Sequence, residues 1–170
     1  VYPMDRELYN SFLEKVVTRL REEEFIITTA LAPKVRANQV GTLYEAHDYA
    51  THGRLADHVI IMTYEWGYTY GPPMAVAPIN QVERVIQYAV TEIPSKKILM
   101  GIPNYGYDWT LPYEQGRPAK SISNTNAVAL AAEKGVEIQF DPVAKAPYFY
   151  YKDESGTLHI VWFEDARSIK

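Results

Sequence analysis

Apolar and polar positions along the chain follow two different periods. Between residues 5 and 24, Tyr9, Phe12, Leu13, Val16, Val17 and Leu20 recur at three- and four-residue steps, with Glu14, Lys15, Arg19 and Arg21 on the opposite side. This predicts an amphipathic helix with Asp5 as its cap. Residues 25–32 then form a nearly continuous apolar and β-branched run closed by Pro33, the pattern of a strand covered on both faces and hence of a parallel sheet. The order repeats. Residues 42–56 predict a short helix and 58–64 a second buried strand. A loop follows through Gly67, Gly71, Pro72 and Pro73. The next helix carries Ile79, Val82, Val85, Ile86, Ala89 and Val90 on one face and ends before Pro94; 97–102 predict a third buried strand. Strand starts near 25, 58 and 97 are spaced as successive βα units. The expected class is α/β, either a barrel or a doubly wound sheet.

After Gly106 the pattern changes. Residues 107–118 read as an aromatic loop, 124–134 as a helix stopped by Gly135, and 136–140, 147–152 and 158–163 as short strands. Asp153-Glu154-Ser155-Gly156 is a hairpin turn between the last two strands. This stretch reads as a small α+β insertion. Asp165 is placed to cap a further helix. Three strands cannot close a barrel and the first element is a helix, so the chain is expected to be an internal piece of a larger domain. With two unpaired strand edges, the isolated piece is expected to self-associate.

Composition narrows the function classes. Hydrophobic residues make up 47% and charged residues 22% of the 170, as in a folded domain. A formal charge of -4 gives no electrostatic reason to expect nucleic acid or an anionic membrane as partner. No apolar run approaches the ~20 residues of a membrane span. With no cysteine there is no disulfide, thiol nucleophile or thiolate zinc site. His47 and His52 would lie about 140° apart on a helix, so these two and His58 are not read as metal ligands. Glu22-Glu23-Glu24 reads as a solvated run, and Asp153, Glu154, Glu164 and Asp165 read as turn and cap residues.

The informative feature is aromatic content, 13% with 14 tyrosines and 3 tryptophans. Ligands of parallel α/β proteins gather at the carboxyl ends of the strands. The second and third strand ends, Met62 through Tyr68 and Gly101 through Trp109, bring Glu65, Asp108, Asn104, four tyrosines (Tyr64, Tyr68, Tyr105, Tyr107) and two tryptophans (Trp66, Trp109) to one rim. Ring faces stack on the C–H faces of pyranoses while carboxylates and amides bind hydroxyls, so the cluster suits a carbohydrate site.

At these strand ends the sequence resembles a known family. Met62-Thr63-Tyr64-Glu65 resembles the Met-x-Tyr-Asp signature on the sixth barrel strand of family 18 glycoside hydrolases. Gly101-Ile102-Pro103-Asn104-Tyr105-Gly106 resembles the Gly-x-Pro-x-Tyr-Gly of the seventh. The α+β stretch resembles the family's insertion domain. The run from Met62 to Pro78, with Trp162-Phe163-Glu164-Asp165, is similar to the bacterial spore peptidoglycan branch. The resemblance implies a partial (β/α)8 barrel, about strands five to seven, over 1–106. It further implies an insertion domain over 107–163 and a return to the barrel over 164–170. It implies hydrolysis of an N-acetylglucosamine-containing glycan by a substrate-assisted mechanism, an exception to the two-carboxylate scheme. The substrate's acetamido carbonyl attacks the anomeric carbon, with retention of configuration and no metal or cofactor. On this basis Tyr64 orients the acetamido group, Met62 packs under the sugar ring and Glu65, where the family usually has Asp, contacts the sugar. Trp66, Tyr105 and Asn104 add stacking or hydroxyl contacts. The implied location is the spore or cell envelope, or outside the cell.

The family's Asp-x-x-Asp-x-Asp-x-Glu string, which supplies the proton donor, does not occur in the 170 residues. The donor is expected to precede residue 1, and the chain alone is expected to be inactive. The alternative is a noncatalytic chitinase-like carbohydrate-binding protein that keeps the aromatic cleft without the acid. A third reading is an unrelated βα-barrel enzyme lacking the insertion.

Overall fold

The computed structural model describes residues 1–170, which divide into two compact units. The first comprises Val1–Thr63 and Glu83–Gly101, the second Tyr64–Val82 and Ile102–Lys170.

The first unit is built on a parallel sheet of three strands in sequential order: β1 (Thr28–Leu31), β2 (His58–Ile61) and β3 (Ile98–Met100). Helices α1 (Arg6–Arg21) and α2 (Tyr49–Leu55) connect to these strands, and Leu13, Val17, Ile27 and Leu55 form a buried cluster. Asp5 stands at the N-cap of α1, but its side chain makes no capping hydrogen bond. Helix α2 is shorter than the 42–56 expected, because Tyr44 and Glu45 turn back onto the Gly41 carbonyl. It starts instead at Asp48, whose side chain accepts from Thr51 N–H at 3.1 Å. His47 therefore lies outside the helix and accepts from Ala32 N–H at 2.8 Å, while His52 Nδ1 lies 3.1 Å from Thr29 Oγ1. Burial pushes Asp48 up, but hydrogen bonds from Arg6 and Thr51 outweigh it and hold the carboxyl down to about 2.

The strands are not covered on both faces. Val59 and Ile61 of β2 are buried, whereas Ala30, Ile60 and Leu99, in register across the sheet, lie on the other face with Ala30 and Leu99 exposed. Apolar residues on both faces of a strand predict burial only where each face has a neighbour. Here β1 and β3 are edges.

Helix α3 (Ile79–Glu92) begins in the second unit and ends in the first. Val82, Val85 and Ala89 are its buried positions, while Ile79 and Val90 are exposed.

The second unit is an antiparallel sheet of five strands in the order β5-β4-β8-β7-β6. These are β4 (Tyr105–Thr110), β5 (Lys120–Ser123), β6 (Gln139–Asp141), β7 (Ala146–Lys152) and β8 (Leu158–Trp162). Residues 107–110, expected as loop, lie instead in β4, which pairs with β5 on one side and β8 on the other. Gly106 is required there: a Cβ at this position would lie 2.1 Å from the Trp162 carbonyl oxygen of β8. Strand β5 reads Lys-Ser-Ile-Ser, is largely exposed, and gave no apolar signal. The 153–156 turn is held by Asp153, which accepts from Ser155 N–H at 2.9 Å and Thr157 N–H at 2.8 Å.

One face of this sheet is covered by α4 (Asn124–Glu133), whose Ala127 and Ala131 meet Phe149, Tyr151, Val161 and Phe163. Ser123 caps α4 by accepting from Asn126 N–H, and Gly135 beyond its end takes φ +64°. Period-2 alternation places Tyr107, Trp109 and Ile160 on the opposite face with Val76 and Ala119. Asp165 caps α5 (Ala166–Ile169) through a capping box with Ser168.

Glu164 is not a surface turn residue. It is only 3% exposed, and its Oε1 is buried without a hydrogen-bond partner. Burial raises its carboxyl to about 7, against the opposing contacts of Ser168 and the Ala77 N–H. The folded state thus binds this proton more tightly than the unfolded chain. The contribution to stability is fully present below the ordinary glutamate value and is lost as pH rises through 7. Glu164→Gln is expected to remove about 3 kcal/mol of the stability difference between pH 4 and pH 8. Urea denaturation of the wild-type chain and the variant at both pH values measures it, and parallel pH profiles would refute it.

Candidate active site

Glu65 sits at the start of the second unit with φ +70°, a left-handed backbone that costs a non-glycine residue of order 1 kcal/mol. The loop behind it makes that conformation hold. Trp66 N–H donates to Val76 O at 3.1 Å and Gly67 N–H to Ala75 O at 2.9 Å, so 66–76 closes on itself. Gly67 has no room for a side chain, since a Cβ would come within 2.0 Å of the Met74 carbonyl oxygen. The far end of the loop is tied by Ala119 N–H to Thr69 O at 2.7 Å, by Trp109 Nε1–H to Gly71 O at 2.9 Å and by Tyr113 O–H to Tyr70 O at 2.9 Å.

Strand β4 presents two phenols to the Glu65 carboxylate. Tyr105 O–H donates to Oε1 at 2.5 Å and Tyr107 O–H to the same oxygen at 3.0 Å. The two rings meet edge to face, 5.7 Å apart at 86°. Burial and then the bond to Glu65 push the Tyr105 phenol well above its ordinary value. Tyr107 is raised too, mainly by burial, so both stay protonated donors. Tyr64 and Tyr105 pack against the buried cluster of Val76, Tyr107 and Trp109.

Of the residues singled out from the sequence, Tyr64, Glu65 and Tyr105 are brought together. Trp66 is half-buried, and Asn104 is exposed on the link into β4. Met62 belongs to the first unit, half-buried just after β2, with its N–H bonded to Leu31 O at 3.0 Å. Two expected rim residues are elsewhere. Trp109 is core, and Asp108 leaves β4 on the α4-covered face. There it is buried, accepting from Tyr151 O–H at 2.6 Å with His159 Nδ1 at 2.8 Å. Alternation along an extended strand separates neighbours onto opposite faces, so Asp108 cannot join Tyr105 and Tyr107. Tyr107 is read from the sequence as a rim residue within a loop; the spacing of Tyr105, Tyr107 and Trp109 at two-residue steps is the signal that identifies its strand and its face.

The family model for glycosyl hydrolases family 18 matches residues 2–170. The chain belongs to glycosyl hydrolase family 18. It is 53% identical over 169 residues to the cortical fragment-lytic enzyme of Bacillus subtilis (strain 168), covering 99% of this chain and 39% of that protein. Among solved structures, it matches the spore cortex-lytic enzyme SleL of Bacillus megaterium QM B1551 with a TM-score of 0.94 at 54% identity, over 99% of this chain and 39% of that one. A chitinase from Chromobacterium violaceum matches with a TM-score of 0.91 at 27% identity, over 99% and 52% of the respective chains. The chain thus spans about two fifths of the length of the cortical fragment-lytic enzyme it matches, and its mixed α/β fold is that of chitinase-like family 18 structures. No helix in it is long and apolar enough to cross a membrane.

Proposed function

We propose that these residues form the acetamido-orienting part of a glycosidase that cleaves N-acetylglucosamine-containing glycans, with spore cortex peptidoglycan as the substrate. The observation that carries the reading is the Glu65 carboxylate held by Tyr105 and Tyr107 beside Tyr64, within a chain of family 18. The cortex is favoured because relatives more than 50% identical to this chain are named for cortex lysis. A spore-associated location follows from the same substrate. In this reading 1–106 contribute about strands five to seven of a (β/α)8 barrel, 107–163 an insertion domain, and 164–170 the return toward the barrel.

The chemistry is substrate-assisted. The acetamido carbonyl oxygen forms a bond to the anomeric carbon as the glycosidic bond breaks. The departing oxygen takes a proton from a carboxylic acid, and water then opens the cyclic intermediate with overall retention. Tyr64 donates to the acetamido group and holds it in line, Met62 packs under the ring, and Glu65, Trp66, Asn104 and Tyr105 grip hydroxyls and ring faces. No metal or cofactor enters any step. The proton-donating acid motif has no counterpart among these 170 residues, so the chain alone supplies orientation without turnover.

The test is the anomeric configuration of the first product released from N-acetylglucosamine oligomers by the full-length protein, followed by NMR. Retention, with competitive inhibition by a thiazoline mimic of the cyclic intermediate, is expected. Inversion overturns the mechanism, and binding without turnover gives the noncatalytic alternative instead.

A further inference from the structure

Two phenols hold Glu65, and they are not equivalent. Tyr105 lies half-buried at the start of β4. Tyr107, two residues on along the same face, is only 7% exposed; it is in register with Trp162 of β8 and its ring lies 5.6 Å from that of Trp109. So deep a side chain does not reach a polymer directly. Its hydroxyl nevertheless reaches the loop, donating to Glu65 Oε1 at 3.0 Å.

We propose that Tyr107 is a positioning residue for glycan binding: it fixes the Glu65 carboxylate through Oε1 so that Oε2 accepts from a hydroxyl or amide N–H of an N-acetylated sugar. The proposal rests on the reading that Glu65 contacts the glycan. A glutamate has three side-chain torsions, and an exposed one must be ordered at each binding event unless the protein has already done so. The core of the second unit supplies that order: Tyr107 is anchored among Val76, Trp109 and Ile160 and carries their rigidity to an exposed carboxylate. A shortened side chain at this position would draw the carboxylate away from both phenols, so Glu65→Asp is not a conservative change here.

The experiment is a double-mutant cycle on the full-length protein with N-acetylglucosamine tetramer, comparing Tyr107→Phe, Glu65→Ala and the pair. Phenylalanine keeps the packed ring and removes only the hydroxyl. Tyr107→Phe is expected to raise KM by about 3- to 10-fold with kcat within about twofold, and to change KM less than about twofold when Glu65 is already alanine. An unchanged KM in Tyr107→Phe, or an equal effect in both backgrounds, overturns the positioning role while leaving Glu65 as a contact. An unchanged KM in Glu65→Ala overturns both.

Discussion

Replacing Tyr64 by phenylalanine is expected to lower kcat on N-acetylglucosamine oligomers by about 10²- to 10³-fold, with KM changed less than about fivefold. In substrate-assisted hydrolysis the acetamido oxygen becomes a nucleophile, and positive charge spreads over the N–C–O unit as the ring closes. A hydroxyl that holds the carbonyl oxygen in line with the anomeric carbon selects the reactive conformer, so its loss falls on kcat. The side chain packs against the buried cluster of Val76, Tyr107, Trp109, Ala119 and Ile160, and phenylalanine preserves that contact. Thermal unfolding of the variant should therefore match wild type within a few degrees. Steady-state kinetics of the full-length protein decides the matter: a kcat within tenfold of wild type would remove Tyr64 from the reaction.

Trp109→Ala is expected to destabilise the second unit by about 3–5 kcal/mol. The side chain is 1% exposed, lies opposite Ile160 on β8, and sits beside the Tyr107 ring. Truncation leaves a cavity in a sheet face covered by the 64–78 loop. It also strips the Gly71 carbonyl of its indole donor at 2.9 Å, adding the cost of an unpaired acceptor in a buried setting. Trp109→Phe, which keeps most of the volume and loses the hydrogen bond, is expected to cost about 1–2 kcal/mol. Urea denaturation followed by tyrosine and tryptophan fluorescence measures both, and a loss below about 1 kcal/mol in the alanine variant would refute the packing account. The same truncation should loosen the loop that holds Glu65, so weaker glycan binding is expected to accompany lower stability.

The αβ order of the first unit was legible because helical and strand periods change abruptly at Pro33, Pro73 and Pro94. The candidate site residues could be proposed from the sequence because Tyr64-Glu65 and Asn104-Tyr105 follow two strands in a pattern that resembles a family signature. Residues 107–110 were misread for a physical reason. Gly106, Asp108 and the prolines that follow look like loop punctuation, while the apolar members of the strand, Tyr107 and Trp109, are large polar-tipped rings. Glu164 was misread because an acidic residue beside a helix cap is usually solvated, and the cost of burying it is visible only once its neighbours are known.

The sequence by itself determined the element types of the first unit and of α4, β7 and β8, the hairpin turn at 153–156, the cap at Asp165 and the family, since these depend on local spacing and on short strings of residues. Only the tertiary structure decided that Asp108 and Glu65 face different environments, that Tyr107 reaches the Glu65 carboxylate and that Glu164 loses its water. Each of those depends on which strand lies alongside which, and pairing partners 40 or more residues apart leave no periodic trace in the chain.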